Sequence, residues 1–344
     1  MTMRRLIWIL VLLLLLLSQP AAAARPIPGV LQPDAITVLG NRAFIAEGSR
    51  IHVFRLPGLE PAGVLAGDGD GPGEFRTHSG FGMTLDLFNY NGKLAAASPR
   101  KLAVFSAAGK LVREWRLGHF CTRVRLHQHN PVVIRYLPGV EMAYELVRLE
   151  KDLSPAIRIA AQPIAYTAGE INTVNPLFQF WIWKDHVFVL QGLESLSLTE
   201  HTAAGDKVRA IALPVKGPLV DNAMRKRITR WLRSQSWYRM IPEQHRRTLR
   251  FPKRLPALLG GILHRDRLIL ITRLTGPKGT ECLVVPLDGR PVFRRVLPVQ
   301  LRDVFTPAPY CAAGNRFYAL KERADEQWVL ETISLDAGFT GGDA

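Results

Sequence analysis

The sequence predicts an all-β chain folded as a six-bladed β-propeller with a basic helical insert between blades 4 and 5. Three observations carry that expectation. A unit of short apolar runs, four in each of the first five and three in the last, recurs six times, a glycine-bearing turn recurs at one place inside it, and the pattern stops once, over 215–254. A four-strand unit repeated along a chain is the signature of blades set around an axis. Of the 344 residues 47% are hydrophobic and 22% charged, a composition that excludes a disordered chain. The 28 glycines and 24 prolines suit many turns rather than long helices.

The first residues read as an address. Met1 to Arg5 is short and basic, Leu6 to Leu17 is unbroken apolar, and Ser18-Gln19-Pro20 precedes Ala21 to Ala24. That is the layout of a secretory signal peptide with small residues at its cleavage site. The apolar run is shorter than the roughly 20 residues a helix needs to cross a bilayer. The expected organisation is a leader over 1–24 and a propeller over 25–344, periplasmic or secreted, with no transmembrane span after cleavage.

The blades follow in order. Residues 34–69 give AITVL, RAFIAEG, RIHVFRL and PAGVLAG; residues 81–118 give GMTLDLF, KLAAAS, KLAVFSAAG and KLVREWRLG. Residues 122–161 give RVRLH, VVIRYL, AYELVRLEK and PAIRIAA, and 178–215 give FQFWIW, HVFVLQG, LSLTEHTAAG and KVRAIALPV. Residues 256–299 give ALLGGIL, RLILITRL, CLVVPLDG and PVFRRVLP. Short β-rich runs bounded by Gly, Asn, Asp or Pro read as hairpin-linked strands. Ala-Ala-Gly-Lys (107–110), Ala-Ala-Gly-Asp (203–206) and Leu-Asp-Gly-Arg (287–290) recur between third and fourth strands, where glycine supplies the positive φ of a tight turn. The sixth unit, CAAG, RFYALKE and WVLETISLDAG, lacks a fourth strand. Pro26–Gln32 is expected to lie beside Trp328–Leu335 in its place and pin the ring shut.

One stretch carries a resemblance. Gly67-Asp68-Gly69-Asp70-Gly71-Pro72-Gly73-Glu74-Phe75 resembles the blade-to-blade GxGxGPGEF turn of extracytoplasmic bacterial six-bladed propellers related to NHL-repeat proteins. Lys101 to Phe105 with Gly109-Lys110 is similar to that family's "rI-x-vFd-x-x-Gk" strand pair, and Pro252 to Leu270 to its proline-framed start of a late blade. The resemblance implies the fold and no catalytic set. The chain departs from the pattern at Glu47-Gly48 and Ser98-Pro99, where an aspartate usually ends the second strand, and at 76–80, which lacks the usual proline.

In the insert, Val220, Met224, Ile228 and Trp231 are spaced as one apolar helix face. Asp221 suits the N-cap and Pro242 ends the pattern, so a helix of about five turns is expected. Trp231, Leu232, Trp237 and Tyr238 would dock it on the ring. The formal charge of the whole chain is +16, of which this segment carries a net +10, twelve Lys and Arg against only Asp221 and Glu243. Concentrated positive charge gathers anionic partners within a Debye length of roughly 8–10 Å. Arg225, Lys226, Arg230, Arg233, Arg246 and Arg247 are the candidate surface for such a partner.

No G-x-S-x-G, H-E-x-x-H, Walker or G-x-G-x-x-G motif offers a reaction or a cofactor site. His127 and His129 would face one side if both lie on a strand, but lack a third ligand. Asp68 and Asp70 alternate as in calcium loops without the distal carboxylate. The three cysteines, Cys121, Cys282 and Cys311, allow at most one disulfide, with Cys311 expected as a buried thiol on an inner strand. Alternation sends Phe178 and Phe180 to one face of their strand and Trp181 and Trp183 to the other, as packing between blades requires.

The function this supports is an exported binding module for an anionic polysaccharide, a lipid or envelope surface, or a protein partner. Nucleic acid is not expected as a partner of an exported chain. The alternative is a propeller-fold lyase or hydrolase with a central-channel metal, for which the inner strands offer Asp86, His127 and Gln179.

Overall fold

Tight turns join each apolar run to the one before it, so every unit folds as a sequential antiparallel meander. The computed structural model describes residues 25–77, 84–138, 142–164, 171–235, 238–239, 241, 243, 248–301 and 308–335. A short strand, β1 (Arg25–Pro26), precedes blade 1, which consists of β2 (Ala35–Leu39), β3 (Arg42–Glu47), β4 (Arg50–Arg55) and β5 (Glu60–Leu65). Blade 2 is β6 (Asp86–Tyr90), β7 (Lys93–Ser98), β8 (Lys101–Phe105) and β9 (Leu111–Arg116). Blade 3 is β10 (Cys121–His127), β11 (Asn130–Leu137), β12 (Ala143–Leu149) and β13 (Pro155–Pro163). After β14 (Ile171–Asn172), blade 4 follows as β15 (Leu177–Trp183), β16 (His186–Gly192), β17 (Leu196–Thr202) and β18 (Lys207–Ile211). The insert holds α1 (Asn222–Ser234) and β19 (Leu249–Arg250). Blade 5 is β20 (Leu258–His264), β21 (Arg267–Gly276), β22 (Gly279–Pro286) and β23 (Phe293–Leu297); blade 6 is β24 (Tyr310–Ala313), β25 (Arg316–Glu322) and β26 (Trp328–Ser334), with β1 as its outer strand.

The first strands form the inner wall. β2 neighbours β6, β6 neighbours β10, and so on through β15, β20 and β24 back to β2, which closes the ring. Because each sheet is a meander, the connectors between blades share one face of the ring with the hairpins between second and third strands. The inner strands begin at that face.

Each sheet buries both sides. Leu94 and Ala96 of β7 pack toward blade 1, whereas Ala95 and Ala97 pack toward blade 3. In β21, Leu268 and Leu270 face blade 4 while Ile269 and Ile271 face blade 6. Successive side chains on a strand point to opposite faces, so a sheet with two apolar neighbours reads as an unbroken apolar run. Six clusters fill the six seams, and a separate cluster holds the insert. Outer strands are the exposed rim, and charges such as Arg113, Glu114, Lys207 and Arg294 mark their edges against pairing with other chains. The turns at Gly109, Gly205 and Gly289 have φ of 87°, 94° and 94°, as the recurring glycine requires.

Closure follows the expected scheme over a shorter stretch. Among the described residues before blade 1, Arg25 and Pro26 pair with β26, opposite Leu330 and Val329, and Ile27 N–H adds a 2.8 Å bond to the Trp328 carbonyl. Pro26 and Pro28 lack donors and Gly29 turns at φ 70°, so the chain leaves the sheet there. It stays on the seam: Ile27 and Val30 are buried between blades 6 and 1, and Trp328 Nε1 donates to the Leu31 carbonyl at 2.9 Å. Ile27→Ala should lower unfolding stability by about 2–4 kcal/mol. Leu31→Ala, at a side chain 83% exposed, should shift it by less than about 0.5 kcal/mol. Urea unfolding of both variants checks the contrast.

Candidate functional site

The polar residues that open the inner strands converge where the strands begin. A channel of about 460 Å³ runs past all six inner strands; its polar lining includes Asp34, Asp86, Asn89, Arg123, Arg125, Gln179 and Tyr310. A second cavity of about 530 Å³ lies toward the connectors of blades 1 to 3, and shares Asp34, Ala35, Asp86 and Arg123 with the first. Asp86 and Gln179 therefore stand together, as their positions on inner strands suggested. His127 does not join them. It ends β10 at the opposite face, where Nε2 lies 3.1 Å from Asp185 Oδ1.

Two arginines alternate on β10 and differ in company. Arg125 forks onto both oxygens of Asp86, with Nη2 3.4 Å from Oδ1, and lies 4.5 Å over the Phe88 ring. Arg123 has no such carboxylate. Its guanidinium lies 5.7 Å from the Trp181 ring centre, and its Nε is buried without a hydrogen-bond partner. Burial, reinforced by Arg125 and opposed by Asp86 and Tyr310, pulls its pKa down to about 10, which leaves it charged at neutral pH. Burial likewise pushes the Tyr310 hydroxyl up to about 12, against the pull of Arg123, so it is a neutral donor. Asp34 turns to the Gly48 N–H at 2.8 Å; burial, with Glu47 nearby, raises its pKa.

Gly260 makes room for the polar groups opposite. A methyl there would lie 2.9 Å from Tyr310 Oη and 3.1 Å from Gln179 Oε1. That Oε1 is buried with no donor. The Tyr310 ring is held by stacking on Phe317 at 5.6 Å. Arg123, Arg125 and Tyr310 escaped the sequence reading; the available signal was a polar residue early in an otherwise apolar inner strand.

The insert lies on the connector face. Asp221 caps α1 as expected, accepting from Met224 N–H at 2.8 Å. The helix ends at Ser234, well short of about five turns, because Ser234 Oγ and Gln235 Nε2 take the Trp231 carbonyl at 2.7 and 3.3 Å. Its buried side is Ile228 and Leu232, with Met224 and Trp231 partly buried, a face turned slightly from the expected one. Arg225, Lys226, Arg227, Arg230 and Arg233 are all exposed. Among the described residues, Arg225, Lys226, Arg230 and Arg233 have no carboxylate partner. Arg246, Arg247, Trp237 and Pro242 lie outside the described residues, as does the leader over 1–24. The parallel pair β14–β19 ties the insert to the connector before blade 4.

The other candidates resolve into structure. His129 falls in the turn after β10, beyond the strand that would have set it beside His127; its Nδ1 is 3.2 Å from Tyr90 Oη. In the Gly67–Phe75 turn, Lys101 Nζ sits 2.8 Å from the Gly71 carbonyl, 3.3 Å from that of Asp70 and 3.3 Å from Glu114 Oε2. A protein cation thus holds this turn together. Phe178 and Phe180 pack toward blade 3, and Trp181 and Trp183 toward blade 5. Among the described residues, no three His, Cys, Asp or Glu groups gather as a metal site. The channel's two arginines put positive charge beside Asp86, so its residues do not fit a divalent cation.

No family profile and no curated protein matches the chain. Solved structures that match include BBS1N in complex with ARL6DN, at 12% identity over 88% of this chain and 78% of the other, TM-score 0.41. Sqt1 of Saccharomyces cerevisiae matches at 9% identity over 92% and 85%, TM-score 0.40. A protein of unknown function from Bacteroides caccae matches at 10% identity over 86% and 91%, TM-score 0.42.

All three cysteines are free: Cys121 and Cys282 are buried, and Cys311 lies half-buried on β24 in the channel wall. Burial pushes each thiol from 9.0 up to about 12. A proton held more tightly by the folded chain stabilises it below the unfolded pKa, and that stability is lost as pH rises through the folded one. Ellman's reagent at pH 8 should therefore titrate no thiol in the native protein and all three in guanidinium. The urea midpoint should fall as pH climbs from about 9 to 12.

Proposed function

We propose that this chain is an exported binding module, akin to the extracytoplasmic NHL-related propellers, that docks a polyanionic partner on the face carrying α1. One observation carries the reading: the solvent side of α1 is basic from Arg225 through Arg233, with no acidic residue among its exposed neighbours on the helix. Arg225, Lys226, Arg230 and Arg233, without carboxylate partners among the described residues, keep their field for an external anion. Ile228 and Leu232 anchor the opposite side, so the charges stand on a rigid element. The signal-peptide layout of residues 1–24 supports a partner outside the cytoplasm, where acidic polysaccharides and anionic headgroups are the abundant polyanions.

Neutralising Arg225, Lys226, Arg230 and Arg233 to glutamine together tests the reading. At about 1 kcal/mol for each basic residue at an anionic surface, binding to phosphatidylglycerol vesicles should weaken about 100-fold or more. Retention on heparin beads should fall in parallel, and neither protein should bind phosphatidylcholine vesicles. Unchanged retention on both anionic probes would remove α1 as the docking surface. Loss on one probe alone would tell lipid from polysaccharide.

A further inference from the structure

Among the described residues, the channel holds a cation that forms no ion pair of its own. Arg123 lies inside the ring, its Nε without an acceptor, while the neighbouring carboxylate, Asp86, is spanned by Arg125. Asp34, the other carboxylate of the lining, is engaged by the Gly48 N–H. An enclosed charge is costly unless paired. The unpaired Gln179 Oε1 and the Tyr310 hydroxyl converge on the space left by Gly260, and the Trp181 ring flanks the guanidinium. These groups surround one open volume of about 460 Å³, within the size range of small-molecule sites.

We propose that the connector-face end of the channel binds a small hydroxy-carboxylic acid, of the size of a uronic acid, with its carboxylate on Arg123. The guanidinium fork matches a planar carboxylate in two parallel hydrogen bonds. Gln179 Oε1 accepts from a ligand hydroxyl, and Tyr310 Oη donates to a ligand oxygen. A phosphate dianion fits less well, because the second arginine is committed to Asp86. This site is separate from α1, and the fourfold α1 substitution leaves it intact.

Calorimetric titration of the full mature chain with galacturonate, acetate and inorganic phosphate tests the proposal. The expected result is one galacturonate site, bound more tightly than phosphate, with affinity reduced about tenfold or more in Arg123→Met. Gln179→Leu should weaken galacturonate while leaving acetate unchanged, which separates hydroxyl recognition from the charge. Without ligand, Arg123→Met should melt no lower than the native chain, because an unpaired buried charge has been removed. The proposal is overturned by no carboxylate binding, by equal galacturonate affinity in Arg123→Met, or by tighter binding of phosphate. It is equally overturned if Arg123→Met melts several degrees lower, which would make the guanidinium a structural strut.

Discussion

A sheet with two apolar faces cannot stand in water alone, and adding a second such sheet only moves the exposed face outward. The arrangement that gives every sheet two neighbours is a closed ring. Each blade here feeds two seams with alternate residues of the same strand, as β7 does with Leu94 and Ala96 on one side and Ala95 and Ala97 on the other. Stability therefore resides in the seams, and each seam depends on those beside it. The last seam needs chain from both ends, which is why Ile27 and Val30, far in sequence from Tyr318 and Leu320, share their cluster.

The same constraint decides where polar groups can stand. Residues facing a seam must be apolar, whereas residues at the first turns of the inner strands look into an axis that no other sheet fills. Asp34, Asp86, Arg123 and Gln179 line that axis, and Tyr310 joins them with its hydroxyl while its ring packs in the seam between blades 5 and 6. Excursions between blades are equally free. The insert leaves and returns beside itself, with Leu219 bridged to Arg254, Val220 N–H on the Lys253 carbonyl and Leu255 N–H on that of Pro218. Its two ends are tied together, so it adds a charged surface without stretching the ring.

Much of the fold was legible because a repeated unit states the same local choice many times. The strands of blades 1 to 5 lie where their apolar runs predict, and the missing strand of blade 6 is supplied from the start of the chain. What was illegible is instructive. The length of α1 turned on serine and glutamine side chains competing for one carbonyl, an effect that apolar periodicity does not contain. The reach of β1 turned on two prolines and a glycine within four residues. The pairing of His127 with His129 failed because the strand ended two residues too soon. The channel residues come from separate blades, and nothing local marks Arg123 as unpaired until Asp86 is seen beside Arg125 rather than beside it.

Arg123 and the basic face of α1 are the same kind of feature at two depths. On α1 the like charges stand in water, where screening makes their mutual repulsion small and their removal nearly neutral for folding. Inside the channel the dielectric is lower, so a lone guanidinium is a standing cost to the folded state. A ring stabilised through six apolar seams can carry that cost. Its one aromatic neighbour, Trp181, packs in the seam between blades 4 and 5, so the guanidinium stands at the edge of that seam. A charge with no carboxylate of its own among the described residues, flanked by a flat aromatic ring, an idle amide oxygen and a glycine-made gap, is accounted for in our proposal by what enters the channel.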